Sequence, residues 1–574
     1  MENVRNNKII KKKYLDFFFS VLISVLILQI TTIIDSMIVG TTIGTKEMSG
    51  VKASNPIISV VAVFSTLISV GASMINSISL GKRNYTKANI TYTYGAFLCI
   101  AFGLAFTLIG IFFSDNIVSL LTSNEDVLPF AKTYTKIVLY ASPFLILTTY
   151  MGYMIRTDGY TKLSMILLIS GGIVNVLFDL IFILGFKLGV NGAAYATDMS
   201  YIISLLVGMI YLFKKNRNLK FVNIFKKDSG IRNITKEIIK NGFSSASRLL
   251  FTSVSLIIAN FIVGKYVGYM GLAVFAVISN LALIATAVFQ SSGASMMPIM
   301  GVFYGEKDYK GIELLLKHVI MFLSILILIV IILIEAFAPF YFPLFGMNNP
   351  DTSYVNVLRI YAIGFIGAAF NYILLYYFST LQKTMLGILV PFLEQIVFSI
   401  PAYLLLIPNM GLYGLVLAFI ISEFGTTIVT LFIVYLIKKK KGYKSILLLP
   451  KENTNLLLDF TVLANEIEAA LVSKDVNKIL IDNNIDLYKA NRVSVILEEM
   501  IVNTKEIEKR NKKVYIDIKI VKSENIIISL RSNGYPYDPL TDTVDETSDN
   551  LIKGLSINLK HNQIIGFNQT LIEV

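Results

Sequence analysis

The 574-residue chain has no tryptophan, one cysteine and two histidines, and only 16% of it is charged. Cys99 alone excludes an internal disulfide and any cysteine metal cluster. His318 and His561 leave no room for a histidine triad, and His318 reads as a residue near a helix end. Soluble domains run nearer ~25% charged. With 55% hydrophobic residues and a mean hydropathy of +0.68, the scarcity of charge marks an integral membrane protein. A secretory leader is also missing, because the first apolar run is too long and no small-residue cleavage site follows it. The N-terminus is therefore expected in the cytoplasm.

The charge that is present is mainly basic, with a net value of +13. It clusters at Lys8–Lys13, Lys214–Lys240 and Lys438–Lys441, each beside an apolar run. That is a topological signature, and it argues against nucleic acid as a partner. Apolar segments of about 20 residues, the length that spans a bilayer, recur about twelve times. They begin near residues 15, 55, 91, 134, 163, 192, 241, 269, 315, 355, 384 and 411. Loops on the leader's side hold about twenty Lys and Arg against about six opposite, which orients that side to the cytoplasm. Both termini are then expected there, in a multi-pass protein of the cell membrane.

An internal repeat runs through these segments. Val39-Gly40-Thr41-Thr42-Ile43-Gly44 returns as Val263-Gly264-Lys265-Tyr266-Val267-Gly268, and Gly81-Lys82-Arg83-Asn84-Tyr85 as Gly305-Glu306-Lys307-Asp308-Tyr309. Gly189-Val190-Asn191-Gly192 returns as Gly411-Leu412-Tyr413-Gly414. The shift amounts to six spans, so the two halves share one orientation, and parallel repeats are a known transporter architecture with the path between halves. The expected fold is an all-α polytopic bundle of twelve transmembrane helices in two six-helix lobes. It divides into a basic leader (1–13), a first lobe (14–213), a linker (214–240) and a second lobe (241–441). Charge rises after Lys441, and residues 450–574 read as a soluble cytoplasmic α/β domain. A strand is expected at Asn455–Leu463, helices at Ala464–Asn483 and Leu487–Lys509, and a hairpin at Val514–Val521 and Ile526–Arg531.

Inside the apolar runs, acids stand out, because a carboxylate at membrane depth is expensive and points to function. Asp35 lies near the end of the run Phe17–Val39, and Asp179 within Leu167–Leu184 with Asn175 one turn before it. Residues at i and i+4 share a helix face. Thr197 on the next span is a fourth candidate. Na⁺ takes oxygen ligands, and a buried carboxylate can instead carry a proton because burial raises its pKa. The same residues could simply pair with buried Arg or Lys to hold helices together. Shifted by the repeat, Asp35 falls on Ala259, Asn175 on Val397 and Asp179 on Pro401. The cluster thus belongs to one half, which favours chemistry over symmetric packing.

Asp35-x-x-x-Val39-Gly40-x-x-x-Gly44, Arg156-Thr157-Asp158-Gly159, Asn175-x-x-x-Asp179 and Gly189-Val190-x-Gly192-Ala193-Ala194 together resemble the MATE family of multidrug and toxic-compound extrusion transporters. The resemblance covers the first 440 residues. It implies two lobes, alternating access, and export of amphipathic, often cationic compounds in exchange for Na⁺ or H⁺. It also implies a first-lobe cation site at the positions of Asp35, Asn175, Asp179 and Thr197. Gln290, Asn260, Asn280, Arg248 and Glu394 are second-half polar residues that either line the substrate cavity or bind helices together. A lipid-linked precursor flippase is the alternative within transport, and it would call for a cationic cavity.

In the tail, Glu499-x-x-x-Asn503, Arg531-Ser532-Asn533-Gly534 with Tyr535-Pro536-Tyr537-Asp538-Pro539, and Gly554-Leu555-Ser556-Ile557 resemble the ATP-binding domain of the GHKL superfamily in its anti-sigma-factor serine kinase form. That resemblance implies Glu499 as base, Asn503 as a Mg²⁺ ligand, and Ser532, Gly534 and Gly554 around ATP. The acid that grips adenine is replaced by Ser532, and the motif's second glycine by Ser556. A regulatory module, with a possible cytoplasmic protein partner, is expected rather than an active kinase. A membrane-tethered sensor or kinase is the alternative outside transport.

Overall fold

The computed structural model describes all residues except 1–4, 44, 122–126, 225–229, 346, 348–350, 444, 451–454, 509–511 and 539–545. Gly44 and Pro539 of the motifs above lie outside the described residues. In a bilayer the backbone must satisfy its own hydrogen bonds, so long apolar runs fold as helices. Eleven described helices are long and apolar enough to cross. The pair Leu128–Tyr140 and Ser142–Thr157, bent by 54°, makes a twelfth when counted as span four. Pro143 sits at the start of the second member, and a proline lacks the N–H that would carry the helix through the bend.

The first six spans follow as Lys8–Val39, Asn55–Gly81, Tyr85–Phe112, the bent pair, Thr161–Gly185 and Gly189–Phe213. The second six are Ile231–Tyr266, Gly268–Gly305, Tyr309–Tyr341, Thr352–Thr380, Thr384–Met410 and Leu412–Lys441. Span seven begins at Ile231, inside the segment read as linker. Its 36 residues run roughly 54 Å at 1.5 Å per residue, well beyond a hydrocarbon core of about 30 Å. The charged turns at Arg232, Lys236, Glu237 and Lys240 continue the helix, because adding a residue to an existing helix is far easier than nucleating one.

The chain divides into two compact units, one of Asp16–Lys307 with Val319–Gly442, the other of Met1–Leu15, Asp308–His318 and Tyr443–Val574. In the membrane unit, spans two and seven approach through glycines. Gly71 leaves no room for a side chain against the Ile238 carbonyl, and Gly242 none against the Leu67 carbonyl. Close backbone approach at small residues is how helices associate where no hydrophobic effect drives them together.

The second unit contains a five-stranded antiparallel sheet in the order β1-β2-β3-β5-β4. Its strands are β1 (Leu456–Leu463), β2 (Tyr515–Lys522), β3 (Ile526–Ser532), β4 (Asn558–Ile564) and β5 (Phe567–Glu573). Its helices are α1 (Glu466–Asp482), α2 (Leu487–Glu506) and α3 (Glu546–Leu555). Leu458, Phe460 and Val462 alternate along β1 and join Val472, Val476 and Leu480 of α1 and Ile496, Leu497 and Met500 of α2 in one core. Period-2 and period-3.6 faces meet there. Asn465 and Asp486 start the two helices by accepting backbone N–H groups at 2.7 Å from Glu468 and 3.1 Å from Tyr488. Ile565 and Gly566 close the last hairpin with φ of 48° and 75°, as a tight two-residue turn demands. The basic leader packs in this same unit, where Arg5 is buried.

Candidate functional site

Asp35 near the end of span one and Asp179 in span five bring their carboxylates against each other. Asp179 is fully buried, and neither of its oxygens has a protein hydrogen-bond partner among the described residues. One oxygen of Asp35 is likewise buried and unpartnered. No Lys or Arg pairs with either acid among the described residues, so the helix-gluing alternative lacks its cation. Two adjacent carboxylates without a counter-charge cannot both be ionised in a low dielectric. The pair therefore calls for a proton or a metal cation.

Tyr134, buried in the first helix of span four, faces the Thr197 hydroxyl and both acids. Thr197 donates to the Ala193 carbonyl at 3.0 Å, so its oxygen is the acceptor toward Tyr134. Asn175 is half-buried one turn before Asp179 and has no hydrogen bond to either acid among the described residues. The helix widens into a π-helical turn at Leu180–Gly185 directly after Asp179. Such turns often mark functional sites, because the extra residue re-aims the side chains around it. Val39, Tyr134, Val138, Ile183, Val190, Ala193 and Ala194 form an apolar cluster in the same region.

Three members of this region escaped the sequence reading. Asp198 follows Thr197 and keeps one buried oxygen without a partner among the described residues. Tyr201, one turn on, faces both Asp198 and Asp35. The rule that singled out Asp35 applies equally to Asp198, an acid in an apolar run. Tyr134 and Tyr201 carried no signal, since tyrosines are common in such spans.

In the second lobe, Arg248 and Glu394 meet each other. The guanidinium of span seven donates two hydrogen bonds, at 2.7 and 2.8 Å, to the carboxylate on the π-helical turn Leu393–Phe398. Arg248 also stacks 3.9 Å over Tyr372. Glu394 touches Glu423 of span twelve, which accepts from Asn371 at 2.7 Å. Glu423 and Asn371 are further residues the sequence reading passed over. Asn260 is exposed and spends its amide on the Leu256 carbonyl of its own helix at 2.9 Å. Gln290 and Asn280 are half-buried.

The tail residues singled out for ATP are tied to one another. Ser548 of α3 donates to Glu499 at 2.6 Å and accepts from Asn503 at 2.9 Å. Ser532 is buried 3.5 Å from the Asn568 amide. Gly534 lies against Val514, while Gly554 faces open space. The recess beside Ser532, lined by Thr504, Tyr537 and Asn568 among others, has a cavity volume of only about 10 Å³. Ligand pockets usually run ~300–1,000 Å³.

The MatE family model matches residues 21–181 and again residues 245–405, one match in each lobe and in register with the repeat. A relative, the multidrug export protein MepA of Staphylococcus aureus (strain bovine RF122 / ET3-1), is 25% identical over 434 residues, 75% of this chain and 94% of its own length. MepA of Staphylococcus haemolyticus (strain JCSC1435) is 28% identical over 258 residues, 45% of this chain and 57% of its own. The fold is similar to that of an outward-facing multidrug resistance MATE family transporter of the MOP superfamily (TM-score 0.71, 19% identity, 76% of this chain and 98% of that one). It is equally similar to a MOP superfamily transporter from Pyrococcus furiosus described as having a binding pocket of reverse polarity (TM-score 0.71, 19% identity, 78% and 98%). With its family model matched across both lobes, the chain belongs to the MatE family of membrane transporters.

Proposed function

We propose that this chain is a secondary active exporter of amphipathic, mainly cationic organic compounds, driven by entry of Na⁺ or H⁺ and working by alternating access. The observation that carries this is the Asp35–Asp179 pair, with Asp179 fully buried and Asp35 half-buried, mutually facing and without a basic partner among the described residues. Cation binding there stabilises one lobe arrangement and substrate another, so exchange follows from differential affinity. Thr197 and Tyr134 offer further oxygens beside the pair, and Asn175, one turn before Asp179, is the remaining candidate for a Na⁺ ligand. The similarity to multidrug export proteins supports export of drug-like compounds. A cationic cavity for an anionic lipid-linked precursor is disfavoured, because Arg248 is already neutralised by Glu394. The protein lies in the cell membrane with both termini cytoplasmic, as the basic loops require. The tail is regulatory and carries out no kinase reaction.

The test is efflux of ethidium from cells expressing wild type, Asp35→Asn or Asp179→Asn, under a Na⁺ gradient or a pH gradient. Export by wild type and not by the variants is expected, and the effective gradient names the ion. Undiminished export by both variants would remove the coupling site from this account.

A further inference from the structure

The unit that contains the tail also contains the leader and the segment Asp308–His318. The leader enters span one, in the first lobe; Asp308 enters span nine, in the second. Eight spans separate these two points and four more precede the tail, so all three lie on one face of the membrane. Arg5 of the leader donates to both oxygens of Asp308, at 2.7 and 2.9 Å. From β3, Arg531 donates to the same carboxylate at 3.0 Å. Arg5 also lies 3.2 Å from Asp517 of β2 and 3.7 Å from Asp459 of β1. Lys310 stands 4.0 Å from Asp459 and Lys519 acts on both Asp308 and Asp459, so four cations surround three acids. Asp308, Arg5, Arg531, Asp459 and Asp517 are each buried.

Arg5 spends only two of a guanidinium's five donors on Asp308, and an incompletely satisfied buried pair is weak. The tail adds Arg531 to Asp308 and places Asp517 and Asp459 beside Arg5. It adds contacts along the leader as well: Asn6 donates its backbone N–H to Thr461 at 3.1 Å, and Lys8 sits 4.7 Å over the Tyr515 ring. Tyr14 packs edge-on against His318 at 5.7 Å, and inside the membrane unit Phe18 does the same with Phe322 at 5.0 Å. Span one and span nine are therefore joined where they leave the membrane, in a cluster that only the folded tail completes.

We propose that the tail is a brace, clamping the first lobe's leader to the second lobe's Asp308 segment and thereby setting how readily the transporter opens on that face. The inference rests on the alternating-access reading, in which the lobes must part on each face in turn. Parting on the tail's side strains or breaks the Arg5–Asp308–Arg531 cluster. A folded, seated tail holds that side shut, and any partner that pulls the tail away releases it. This gives a transporter domain with no catalytic role a physical means of regulating flux.

The test uses the full chain with spin labels at Lys82→Cys and Gln382→Cys. These are exposed positions, on the first and second lobes and on the tail's side of the membrane; the native Cys99 is buried. Inter-label distances are measured by pulsed electron paramagnetic resonance in the otherwise unaltered background, in Arg5→Gln and in Arg5→Glu. Arg5 lies outside the tail's sheet and helices, so these variants spare the tail's own core, which hydrogen exchange at Leu487–Glu506 verifies. The brace predicts a longer-distance population that grows from Arg5→Gln to Arg5→Glu. Superimposable distributions in all three proteins, with the tail folded, would overturn it. The readout needs no substrate, so its failure is separable from failure of the exporter reading, which the ethidium assay judges.

Discussion

Arg5 and Asp308 stand 303 positions apart, yet the guanidinium meets the carboxylate in a two-bond fork at 2.7 and 2.9 Å. Burial alone would raise the Asp308 pKa, but the charges of Arg5 and Arg531 outweigh it and hold the carboxyl well below the usual range. Such a group binds fewer protons folded than unfolded. Its contribution to stability is full above the unfolded value of 3.8 and is lost as pH falls below it. Asp459 runs the other way: burial raises its pKa despite the opposing charge of Arg5, so it offsets part of the effect. The expected outcome is an acid-labile tail unit, with Asp308→Asn costing about 3–5 kcal/mol near neutrality. Denaturant unfolding followed by hydrogen exchange in the tail, from pH 7 down to 3, checks both. An acid slope identical in wild type and Asp308→Asn would show that Asp308 is not its source.

Arg248 and Glu394 invite a comparison of single and double substitutions. Arg248→Met strands Glu394 beside Glu423 with no cation, and breaking a buried pair from one side costs about 3–5 kcal/mol. Replacing both, as Arg248→Met with Glu394→Leu, removes the stranded charge and is expected to cost less than Arg248→Met alone. Thermal melting of the purified protein in detergent reads the order of Arg248→Met, Glu394→Leu and the double variant. A double variant less stable than either single one would mean the cluster matters for more than its own charge balance.

Much of this could be read from the chain. Asp35 and Asp179 were legible because the bilayer makes an intramembrane acid conspicuous, and the repeat was legible because glycine turns leave fixed letters. The tail's first five elements follow from alternation in Leu456–Leu463 and helical periodicity in Leu487–Glu506. Helix ends were not legible where charged turns extend a span, as at Ile231, because backbone hydrogen bonding does not stop at the membrane surface. Nor was the leader's role. Arg5 looks like one more basic residue in a topogenic cluster, and nothing local to it announces a partner three hundred positions away. The unusual Asp308 in the repeated Gly-x-x-x-Tyr turn, where the first copy has Asn84, was the available clue.

Ser548 ties together two residues of the tail that the ATP reading depends on. With its hydroxyl engaged by Glu499 and Asn503, the two residues expected to serve ATP and Mg²⁺ are satisfied by their own domain. Wild type is expected to bind no ATP in calorimetry on the full-length protein. Ser548→Ala frees both side chains, yet the recess stays small and Ser532 still supplies no charge, so binding is expected to remain undetectable. Heat of binding from wild type in the presence of Mg²⁺ would contradict the regulatory reading of the tail.

Asp198 tests whether the first-lobe site extends beyond the four residues the sequence pointed to. It shares Tyr201 with Asp35 and has a buried oxygen with no partner among the described residues. A neighbour that tunes a cation site typically changes affinity by about 10-fold or more. Asp198→Asn is expected to raise the driving-ion concentration needed for half-maximal ethidium efflux by about that factor, with efflux at saturating ion retained. Unchanged ion dependence would assign Asp198 to packing.

Gly242 bears on the lobe interface itself. Helix propensity alone favours alanine over glycine by about 1 kcal/mol, so Gly242→Ala ought to stabilise an isolated span seven. At this position, however, a Cβ would run into the Leu67 carbonyl of span two, while Gly71 opposite is closed off by the Ile238 carbonyl. Neither obstruction is a flexible side chain tip; both are backbone, and backbone yields only if the helices move apart. Overpacking of this kind costs about 1–3 kcal/mol, which exceeds the propensity gain. The expected result is a lower melting temperature for Gly242→Ala, and none for Gly185→Ala, where nothing lies within 4 Å. If Gly242→Ala melts at or above wild type, spans two and seven are not held at the separation seen here.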